Sequence, residues 1–421
     1  MRQYKKNAIL FPFLLFFKEQ RLPIRLKILI VTPRIPFPPF RGDKLKIFNI
    51  CRILIRKNDV KILTFISKTS EEKDLSELRT NDIDAEAIPL HKLKSLINLL
   101  RSFVSKEPLQ VSYYYSKKMR KRIYELTSEQ KYDVVYFHLI NTAQYFDAVA
   151  NPETLKVNDF TDATSLYLTR YLEFLKNPFR KIVFNLELQR VLEYEKITQK
   201  FDTLFVCSNV DKEFLLKRNI HNNIQILLNG IDLDSFQYEK VEPQKWRIIF
   251  SGNMSYFPNI DAVKYFVKEI FPMVLAKVPE AKFYVVGQQP PKEILELQKN
   301  NIIVTGFVKD IRKEYLSSEV NVAPIRFGSG TLNKIIESLV LGIPTIATNT
   351  SINGFPNELK KYVLTADTPK EFAKTIVKVL EDKSIINSFR REAMQNITQM
   401  LSWEKIVLDF ENYLFDRMSK K

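Results

Sequence analysis

Glycine is scarce in this chain and concentrated in one stretch of it. Only nine of the 421 residues are glycine, against an average usage of roughly 7 %, and eight of the nine lie between Gly230 and Gly354. Three of them, Gly252, Gly287 and Gly306, end the apolar runs RIIFSG, KFYVVG and NIIVTG. A strand, a glycine turn and a helix are how open α/β sheets present backbone N–H groups to a phosphate. The second half is therefore predicted to be a nucleotide-binding α/β domain.

Strands and helices also alternate through the first half, which indicates a second domain of the same kind. The apolar run LKILIVT at 26–32 is typical of a buried parallel strand. The prolines of PRIPFPPFRGDK at 33–44 exclude regular structure there, and a helical pattern follows. Further strands are predicted at 59–67, 131–139, 156–165, 201–208 and from 223. The predicted fold class is α/β, with two doubly wound Rossmann-like domains facing across a ligand-binding cleft.

These patterns divide the chain into five segments. Residues 1–25 are an N-terminal extension or an interfacial anchor, and 26–237 form the first Rossmann-like domain. The polar, aperiodic segment 238–245 is a linker, and 246–400 form the second domain. Residues 401–421 form a C-terminal helix with one apolar face, which is expected to pack back on the first domain.

The extension contains one strongly apolar segment, AILFPFLLFF at 8–17, preceded by Arg2, Lys5 and Lys6. It is shorter than the ~20 apolar residues that a membrane-spanning helix needs, and no small-residue cleavage site follows it. Two interpretations stay open. The segment is either an anchor whose side chains enter the headgroup boundary, or an upstream extension of the folded protein.

The chain is strongly basic. Lys and Arg outnumber Asp and Glu by 65 to 48, which gives a formal net charge of +17. Such an excess suits binding to nucleic acid, an anionic membrane or phosphorylated substrates. The chain is also rich in Lys, Ile and Asn, and the base composition of a genome alone can produce that content. The basic stretch 92–130 is either a solvated helix face over core or a contact for anionic lipid or a phosphorylated acceptor. No nucleic-acid-binding module is recognisable, so nucleic acid is not an expected partner.

The segment FGSGTLNKIIES at 327–338 carries the clearest chemistry. Gly328 and Gly330 let the backbone approach a pyrophosphate, and Thr331 can cap the helix that follows. The positive end of that helix favours an anion, and Lys334 adds a point charge. Glu337 lies on the same helix face and can accept hydrogen bonds from ribose hydroxyls. The plainer alternative is a capped surface helix with a Glu–Lys pair.

With its neighbours, this segment resembles a known family. VAPIRFGSGTLNKIIESLVLGIPTIATNTSINGF at 322–355 is similar, in order, to the C-terminal half of retaining glycosyltransferases of family 4, which have the GT-B fold. SGNMSYFPNIDAVKYF at 251–266 resembles a subgroup linked to exopolysaccharide assembly. VTGFVKDIRKEYLSSEVNVAPI at 304–325, with Asp310 opening its helix, is similar to the next family block. LNGIDLDSF at 228–236 resembles the hinge signature, and the loop at 33–44 the acceptor-side loop of the subgroup.

The resemblance assigns roles to individual residues. It implies that the second domain binds the nucleotide-sugar donor and the first domain faces the acceptor. Glu337 would bind the donor ribose. The implied donor nucleotide and diphosphate group is Gly252, Asn253, Gly328, Gly330, Thr331, Lys334 and Glu337. The implied acceptor-side loop residues are Arg41 and Gly42.

Two catalytic candidates lie in the first domain. His138 matches the strand-end position where many family members place a histidine beside the donor sugar; the plainer alternative is a partly buried neutral histidine. Asp162, after the sequence NDF, is a weaker candidate on the acceptor side, and Asp159 is weaker still.

Two positions depart from the family pattern. Ser329 stands where many relatives have a glutamate, and Leu332 stands where the subgroup has an arginine. An arginine there would provide a charge-assisted, bidentate phosphate contact. Either Lys334 and the helix dipole suffice, or Arg326 or Arg41 substitutes.

No metal and no other cofactor is expected, beyond the nucleotide sugar as co-substrate. Cys51 and Cys207 lack metal or redox spacing, which favours a reducing cytoplasm, and the three histidines are dispersed. The D-x-D pairs at 82–84 and 232–234 are interpreted as solvated turns. In GT-B enzymes, the helix N-terminus and the lysine do the work of a cation on the diphosphate.

The resemblance therefore implies a hexosyltransferase-type enzyme that moves a sugar, with retention, from a nucleotide-diphosphate donor to a lipid-linked or polysaccharide acceptor in cell-surface glycan synthesis. The expected location is the cytoplasm, with peripheral contact to the inner face of the cell membrane. Two alternatives stay open. One is a nucleotide-sugar epimerase of the same fold, which needs an acid–base set in the cleft. The other is a non-catalytic GT-B scaffold, which the departures at Ser329 and Leu332 favour.

Overall fold

The computed structural model describes residues 25–239, 241–328, 332–382, 384–386, 388, 396–398 and 400–421. The extension up to residue 24, with its apolar segment, lies outside the described residues. So do Ser329, Gly330 and Thr331 of the glycine turn.

The first domain is built on a parallel sheet with the strand order β3-β2-β1-β4-β5-β6-β7. Its strands are β1 (Lys27–Thr32), β2 (Asp59–Ile66), β3 (Asp84–Pro89), β4 (Val134–His138), β5 (Leu155–Thr161), β6 (Thr203–Val206) and β7 (Ile224–Ile226). The centre of strand β1, residues 28–31, is entirely apolar and buried, as expected for a strand covered on both faces. Ile28 and Ile30 pack into one hydrophobic core, and Leu29 and Val31 into another on the opposite face.

The second domain repeats this design, with the strand order β10-β9-β8-β11-β12-β13. Its strands are β8 (Arg247–Ser251), β9 (Lys282–Val286), β10 (Ile302–Gly306), β11 (Val320–Ala323), β12 (Thr345–Ala347) and β13 (Leu364–Thr365). All registered strand pairs in both sheets are parallel. The predicted fold class, two doubly wound α/β domains, is confirmed.

Helices connect the strands across both faces of each sheet. Those of the first domain are α1 (Gly42–Leu54), α2 (Glu71–Thr80), α3 (Lys92–Ser105), α4 (Leu109–Tyr113), α5 (Lys117–Glu129), α6 (Thr164–Phe174), α7 (Pro178–Tyr194) and α8 (Asn209–Lys217), with 3-10 turns at Ile140–Ala148 and Glu195–Lys200. Those after the linker are α9 (Phe257–Tyr265), a π-turn (Phe266–Ile270), α10 (Phe271–Leu275), α11 (Lys292–Leu295), α12 (Ile311–Leu316), α13 (Asn333–Val340), α14 (Asn349–Ile352), α15 (Asn357–Lys360), α16 (Pro369–Glu381) and α17 (Trp403–Ser419).

The C-terminal helix α17 crosses back to the first domain, as predicted. Trp403, Phe410 and Leu414 are buried in the same core as Ile28 of β1. The return segment is hydrogen-bonded to the outgoing one where the chain passes between the domains: the N–H of Ile231 donates to the carbonyl of Leu401 at 2.7 Å. The two segments that connect the domains are therefore hydrogen-bonded to each other.

Aromatic side chains join the two domains on one side of the cleft. Phe174 of α6 stacks on Phe327 with ring centres 4.4 Å apart. Tyr167 of the same helix stacks on Tyr256 of the second domain at 6.0 Å. Helix α6 thus contacts the segments that begin α9 and precede the glycine turn.

Within the described ranges, no helix combines the length and apolar character needed to cross a membrane.

Candidate active site

The two domains enclose a cleft at the carboxyl ends of their strands, where ligands of open α/β sheets bind. It consists of two adjoining cavities, one of about 710 Å³ and one of about 540 Å³. Both domains line each of them. The residues that line both cavities, and so mark their junction, are Phe40, Arg41, Gly42, Ser251, Gly252, Asn253, Asn333 and Glu337.

The floor of the cleft in the second domain is bare backbone. Gly252 and Gly287 follow β8 and β9, and their strands are so close that a Cβ on Gly287 would lie 1.8 Å from the carbonyl oxygen of Gly252. A Cβ on Gly252 would lie 3.1 Å from Nζ of Lys334. The concentration of glycine in this half thus has a physical cause, since side chains at these points would fill the floor beside the lysine.

Lys334 is buried at the start of α13 and lines the larger cavity. Its ammonium donates a 2.6 Å hydrogen bond to Oδ1 of Asn259 and lies 4.0 Å from the ring centre of Phe250. Burial lowers the pKa of Lys334 to about 7, although nearby Glu337 acts in the opposite direction. Sequence reasoning found Lys334 but not Asn259, which is 75 residues away in the chain.

Glu337 lies one turn further along α13, at the junction of the two cavities. Its Oε2 accepts a 2.9 Å hydrogen bond from the hydroxyl of Tyr315 in α12, and that hydroxyl also hydrogen-bonds Ser251. Burial raises the pKa of Glu337, and the Tyr315 hydrogen bond and Lys334 only partly oppose it. The sequence carries no signal for Tyr315, because its role depends on how α12 packs against α13.

The opposite wall is formed by the loop between β1 and α1. Arg34 donates to Asp43 at 2.5 Å, and Arg41 lies 3.3 Å from the same carboxylate. Burial opposes ionisation of Asp43, but the two guanidinium groups outweigh it and lower its pKa. Gly42 comes close to the second domain, since a Cβ there would lie 3.9 Å from Nδ2 of Asn333. The predicted loop residues Arg41 and Gly42 are therefore at the cleft, and Arg34 joins them.

Asp162 also lines the larger cavity, just beyond β5. It accepts a 3.1 Å hydrogen bond from Sγ of Cys207. Burial, reinforced by the nearby charge of Asp211, raises the pKa of Asp162 to about 7. A carboxyl group with this pKa can take up or release a proton near neutral pH.

Asp162, Cys207 and Asp211 offer three ligand atoms within 4.8 Å of one another. The oxygens of Asp211 already accept hydrogen bonds from the Ala163 N–H and the Ser208 hydroxyl. The Ser208 oxygen in turn caps α8 by accepting from the Asp211 N–H at 3.1 Å. These partners account for the cluster without a cation. That the protein uses no metal stays a prediction.

The structure does not bring His138 to the cleft. The side chain is 1 % exposed, lies 3.8 Å from Asp159, and has no hydrogen-bond partner on either ring nitrogen among the described residues. The reason is local geometry, because Leu139 follows it with a positive φ of 65° and takes the cavity-lining position.

Asp159 is a structural residue beneath the cleft. Its carboxylate forms a fully buried ion pair with Lys46 of α1 at 2.8 Å, accepts from the Tyr136 hydroxyl, and accepts from the Thr161 N–H at 2.8 Å. The ion pair ties the helix that carries Gly42 to the strand that leads to Asp162. Asp159 therefore holds the two cleft-facing segments of the first domain together.

Arg326, one of the two candidates to replace the arginine absent at position 332, lines neither cleft cavity in this structure. Its guanidinium pairs with both oxygens of Asp261, at 2.9 Å and 2.5 Å, and packs over Tyr265. The other candidate for this role, Arg41, lines both cleft cavities. The glycine turn has another basic neighbour, Arg170 of α6, which donates to the carbonyl of Gly328.

The remaining sequence predictions had mixed outcomes. Asp310 opens its helix as predicted and accepts from the Arg312 N–H. Helix α13 begins at Asn333 with Leu332 in the cap position, so the predicted cap at Thr331 falls before it, outside the described residues. Of the D-x-D pairs, 232–234 is a turn as predicted. Asp84 instead begins β3 and pairs with Lys61 at 3.0 Å, because parallel pairing with β2 extends to that residue.

Comparisons with known proteins agree with this architecture. Residues 245–382 match the family model Glycosyl transferases group 1. The chain is 21 % identical over 401 residues to an uncharacterized 44.6 kDa protein in the cps region of Klebsiella pneumoniae. The aligned region covers 90 % of this chain and 97 % of that protein.

Two solved structures are similar over almost their whole length. A glycosyltransferase from Rickettsia africae has a TM-score of 0.68 at 16 % identity and covers 94 % of this chain and 100 % of its own. HepE from Anabaena, solved in complex with UDP-glucose, has a TM-score of 0.63 at 14 % identity and covers 93 % and 100 %. Both likenesses concern the fold.

Proposed function

We propose that this protein, whose residues 245–382 match the model of the Glycosyl transferases group 1 family and whose fold is that of the GT-B structures it resembles, transfers a sugar from a nucleotide-diphosphate donor to a glycan acceptor. One observation carries the proposal. Glu337, hydrogen-bonded to Tyr315 and one turn from buried Lys334, lines both cavities of the cleft at their junction. A ribose-binding carboxylate would occupy such a point between a nucleoside and a diphosphate.

The donor would span the junction. The nucleoside would occupy the 540 Å³ cavity, with the ribose hydroxyls on Glu337. The diphosphate would lie on the glycine floor against Lys334 and the start of α13, and the sugar would extend into the 710 Å³ cavity. Charge that develops on the departing diphosphate would be stabilised by the lysine and the helix N-terminus.

The acceptor would enter from the first domain. As the bond between the sugar C1 and the diphosphate oxygen breaks, a new bond forms between C1 and an acceptor hydroxyl oxygen, and that hydroxyl loses its proton. Asp162 lines the cavity, and burial raises its pKa to about 7, so its carboxylate is our candidate to accept the hydroxyl's hydrogen bond and then its proton. Retention of configuration is part of the proposal by family resemblance.

The acceptor is proposed to be a lipid-linked or polysaccharide glycan of the cell surface. The relative in the cps region of Klebsiella pneumoniae supports this class. Peripheral contact with the inner face of the membrane and a cytoplasmic site of action belong to the same proposal. HepE was solved with UDP-glucose, which makes UDP-glucose the first donor to test.

An assay of nucleotide release tests this function and separates it from the two alternatives. A transferase releases nucleoside diphosphate from a nucleotide sugar only when acceptor, such as a lipid extract of the source membranes, is added. An epimerase alters the nucleotide sugar without acceptor, and a non-catalytic scaffold does neither. Acceptor-dependent release that is lost in Glu337→Ala supports the proposal, and either alternative pattern contradicts it.

A further inference from the structure

Helix α3 has its polarity reversed relative to an ordinary surface helix. Its serines face the protein: Ser95 is 1 % exposed and Ser102 is fully buried. The exposed apolar side chains, which share one narrow helical face, are Leu93, Leu96, Ile97, Leu100 and Val104. A contiguous apolar stripe of this kind, rather than scattered apolar residues, marks a surface that contacts something apolar.

A basic cavity of about 300 Å³ lies beside this stripe, between α3 and the start of α5. Its cationic lining residues are Lys94, Arg101, Lys117 and Lys118. No described carboxylate lies within ion-pair distance of any of the four, whereas nearby Arg120 and Arg122 pair with Asp147 and Glu86. The cavity therefore concentrates uncompensated positive charge.

Two further features suit an oxygen-rich anion. The hydroxyl of Ser95, which lines this cavity and is 1 % exposed, has no hydrogen-bond partner among the described residues. Helix α5 presents its N-terminus there, with Lys117 and Lys118 in its first turn and the hydroxyl of Ser116 capping the N–H of Met119. The positive end of a helix favours an anion. Phosphate oxygens would accept a hydrogen bond from the Ser95 hydroxyl and pair with the lysines at the start of α5.

This surface lies close to the acceptor side of the cleft. Helix α3 follows β3, and the carboxyl end of β3 shares the sheet edge that the cleft occupies. Asn98 of α3 donates to the carbonyl of Tyr115 at 3.0 Å, which fixes the cavity walls. Helix α4 packs against α3, and its residue Gln110 lines the larger cleft cavity. A membrane lying on α3 would therefore border the acceptor entrance.

We propose that α3 and this basic cavity form a docking site for an anionic phospholipid bilayer, with a lipid phosphate in the cavity and the apolar stripe at the acyl boundary. Combined apolar and basic surfaces bind anionic bilayers through burial of apolar area and through charge. The site deepens the proposed function, on which it rests for the peripheral membrane contact, and it needs neither the donor site nor the segment before residue 25.

The test uses a fluorescent reporter in the full chain. Cys51 and Cys207 are buried, so Leu100→Cys allows an environment-sensitive dye to be attached at one exposed position. Lys277→Cys, on an exposed position of the second domain, is the matched control. Vesicles of phosphatidylcholine with phosphatidylglycerol should shift the emission of the dye at position 100 to the blue and leave the dye at position 277 unchanged. Vesicles of phosphatidylcholine alone should give a weaker response.

The basic cavity is tested in the same assay. Adding Lys117→Gln and Lys118→Gln should raise the lipid concentration for half-maximal shift about tenfold or more, since each basic residue near an anionic surface contributes about fivefold. The control pair Lys277→Gln and Lys374→Gln, on the second domain, should change it little. Nucleotide-induced thermal shifts should persist in the Lys117→Gln/Lys118→Gln variant, which separates this site from the donor site.

Three results would overturn the proposal. The first is an unshifted dye at position 100 while the protein co-sediments with anionic vesicles, which would place the contact elsewhere. The second is an equal increase in the lipid concentration for half-maximal shift in the Lys117→Gln/Lys118→Gln variant and in the control Lys277→Gln/Lys374→Gln variant. The third is a shift caused by inorganic phosphate alone, which would assign the cavity to a soluble anion.

Discussion

The ammonium of Lys334 donates a 2.6 Å hydrogen bond to the side-chain oxygen of Asn259. Within the described chain, no carboxylate lies within ion-pair distance of this ammonium, and Phe250 covers it. Burial lowers its pKa to about 7. A diphosphate beside this lysine would stabilise the charged form and raise the pKa again.

The first prediction is that binding of a nucleotide sugar such as UDP-glucose, whose diphosphate has no terminal phosphate group titrating near pH 6, takes up a proton at alkaline pH. Near pH 8 the free lysine is mostly neutral and the bound lysine is charged, whereas near pH 6 both are charged. Calorimetry in two buffers of different ionisation enthalpy should therefore give different binding heats at pH 8 and similar ones at pH 6. Affinity should fall as pH rises through 7 to 9. Equal heats at pH 8 would contradict this, and Lys334→Met should remove the difference.

The second prediction concerns Tyr315 as a positioning residue. Tyr315→Phe removes the 2.9 Å hydrogen bond to Glu337 while keeping the ring in the core. We expect the affinity for the nucleotide to fall about fivefold, which corresponds to about 1 kcal/mol for one such hydrogen bond. Tyr284→Phe, whose hydroxyl makes only a 3.5 Å exposed contact with Gln244, is the control. Equal affinities of Tyr315→Phe and wild type would exclude the role.

The third prediction is a pH-dependent stability that originates at Asp162. Burial raises the pKa of this group to about 7, so the folded state binds its proton more tightly than the unfolded chain. The contribution of protonated Asp162 to the free energy of unfolding is complete below about pH 4 and is lost as pH rises through 7. Asp162→Asn should flatten this slope and gain on the order of 1–2 kcal/mol over wild type at pH 8.

Denaturant unfolding at pH 5 and pH 8 measures the effect. Glu173→Gln, an exposed change on α6, should leave the slope as it is in wild type. If Asp162→Asn and wild type lose the same stability between the two pH values, Asp162 is not the source.

The fourth prediction separates Gly287, on the cleft floor, from Gly306, at the end of β10. Gly287→Ala places a Cβ 1.8 Å from the Gly252 carbonyl oxygen, so the strands must move apart, at a cost of roughly 3 kcal/mol of unfolding free energy or more. Gly306→Ala meets no atom within 4 Å and has only its positive φ of 69° against it, a cost of about 1 kcal/mol. Chemical denaturation of both variants measures the difference, and equal losses would contradict the packing account.

The sequence predicted features that depend on local patterns. The apolar runs ending at Gly252, Gly287 and Gly306 are neighbouring strands. Glycine is needed at 252 and 287 because a Cβ there would collide with neighbouring atoms, and at 306 because the backbone has a positive φ of 69°. Lys334 and Glu337 lie on one face of α13, since residues three apart on a helix are neighbours.

Features that depend on distant contacts could not be predicted from the sequence. The partner of Glu337 is 22 residues away and that of Lys334 is 75 residues away, so no spacing rule points to them. His138 matched a family position, yet the backbone turn at Leu139 directs a different side chain to the cavity. The segment 92–130 left two interpretations open, since helical periodicity gives an apolar face without saying which way it points.

One measurement tests the central claim most directly: the melting temperature of wild type and Glu337→Ala with UDP, GDP, ADP, TDP and CMP, each alone and as sugar conjugates. A ligand that binds only the folded state raises the melting temperature. The account predicts that one nucleoside diphosphate and its sugar conjugate stabilise wild type, and that this shift disappears in Glu337→Ala. A panel in which no nucleotide shifts the wild-type protein would contradict the claim that the cleft binds a nucleotide-sugar donor.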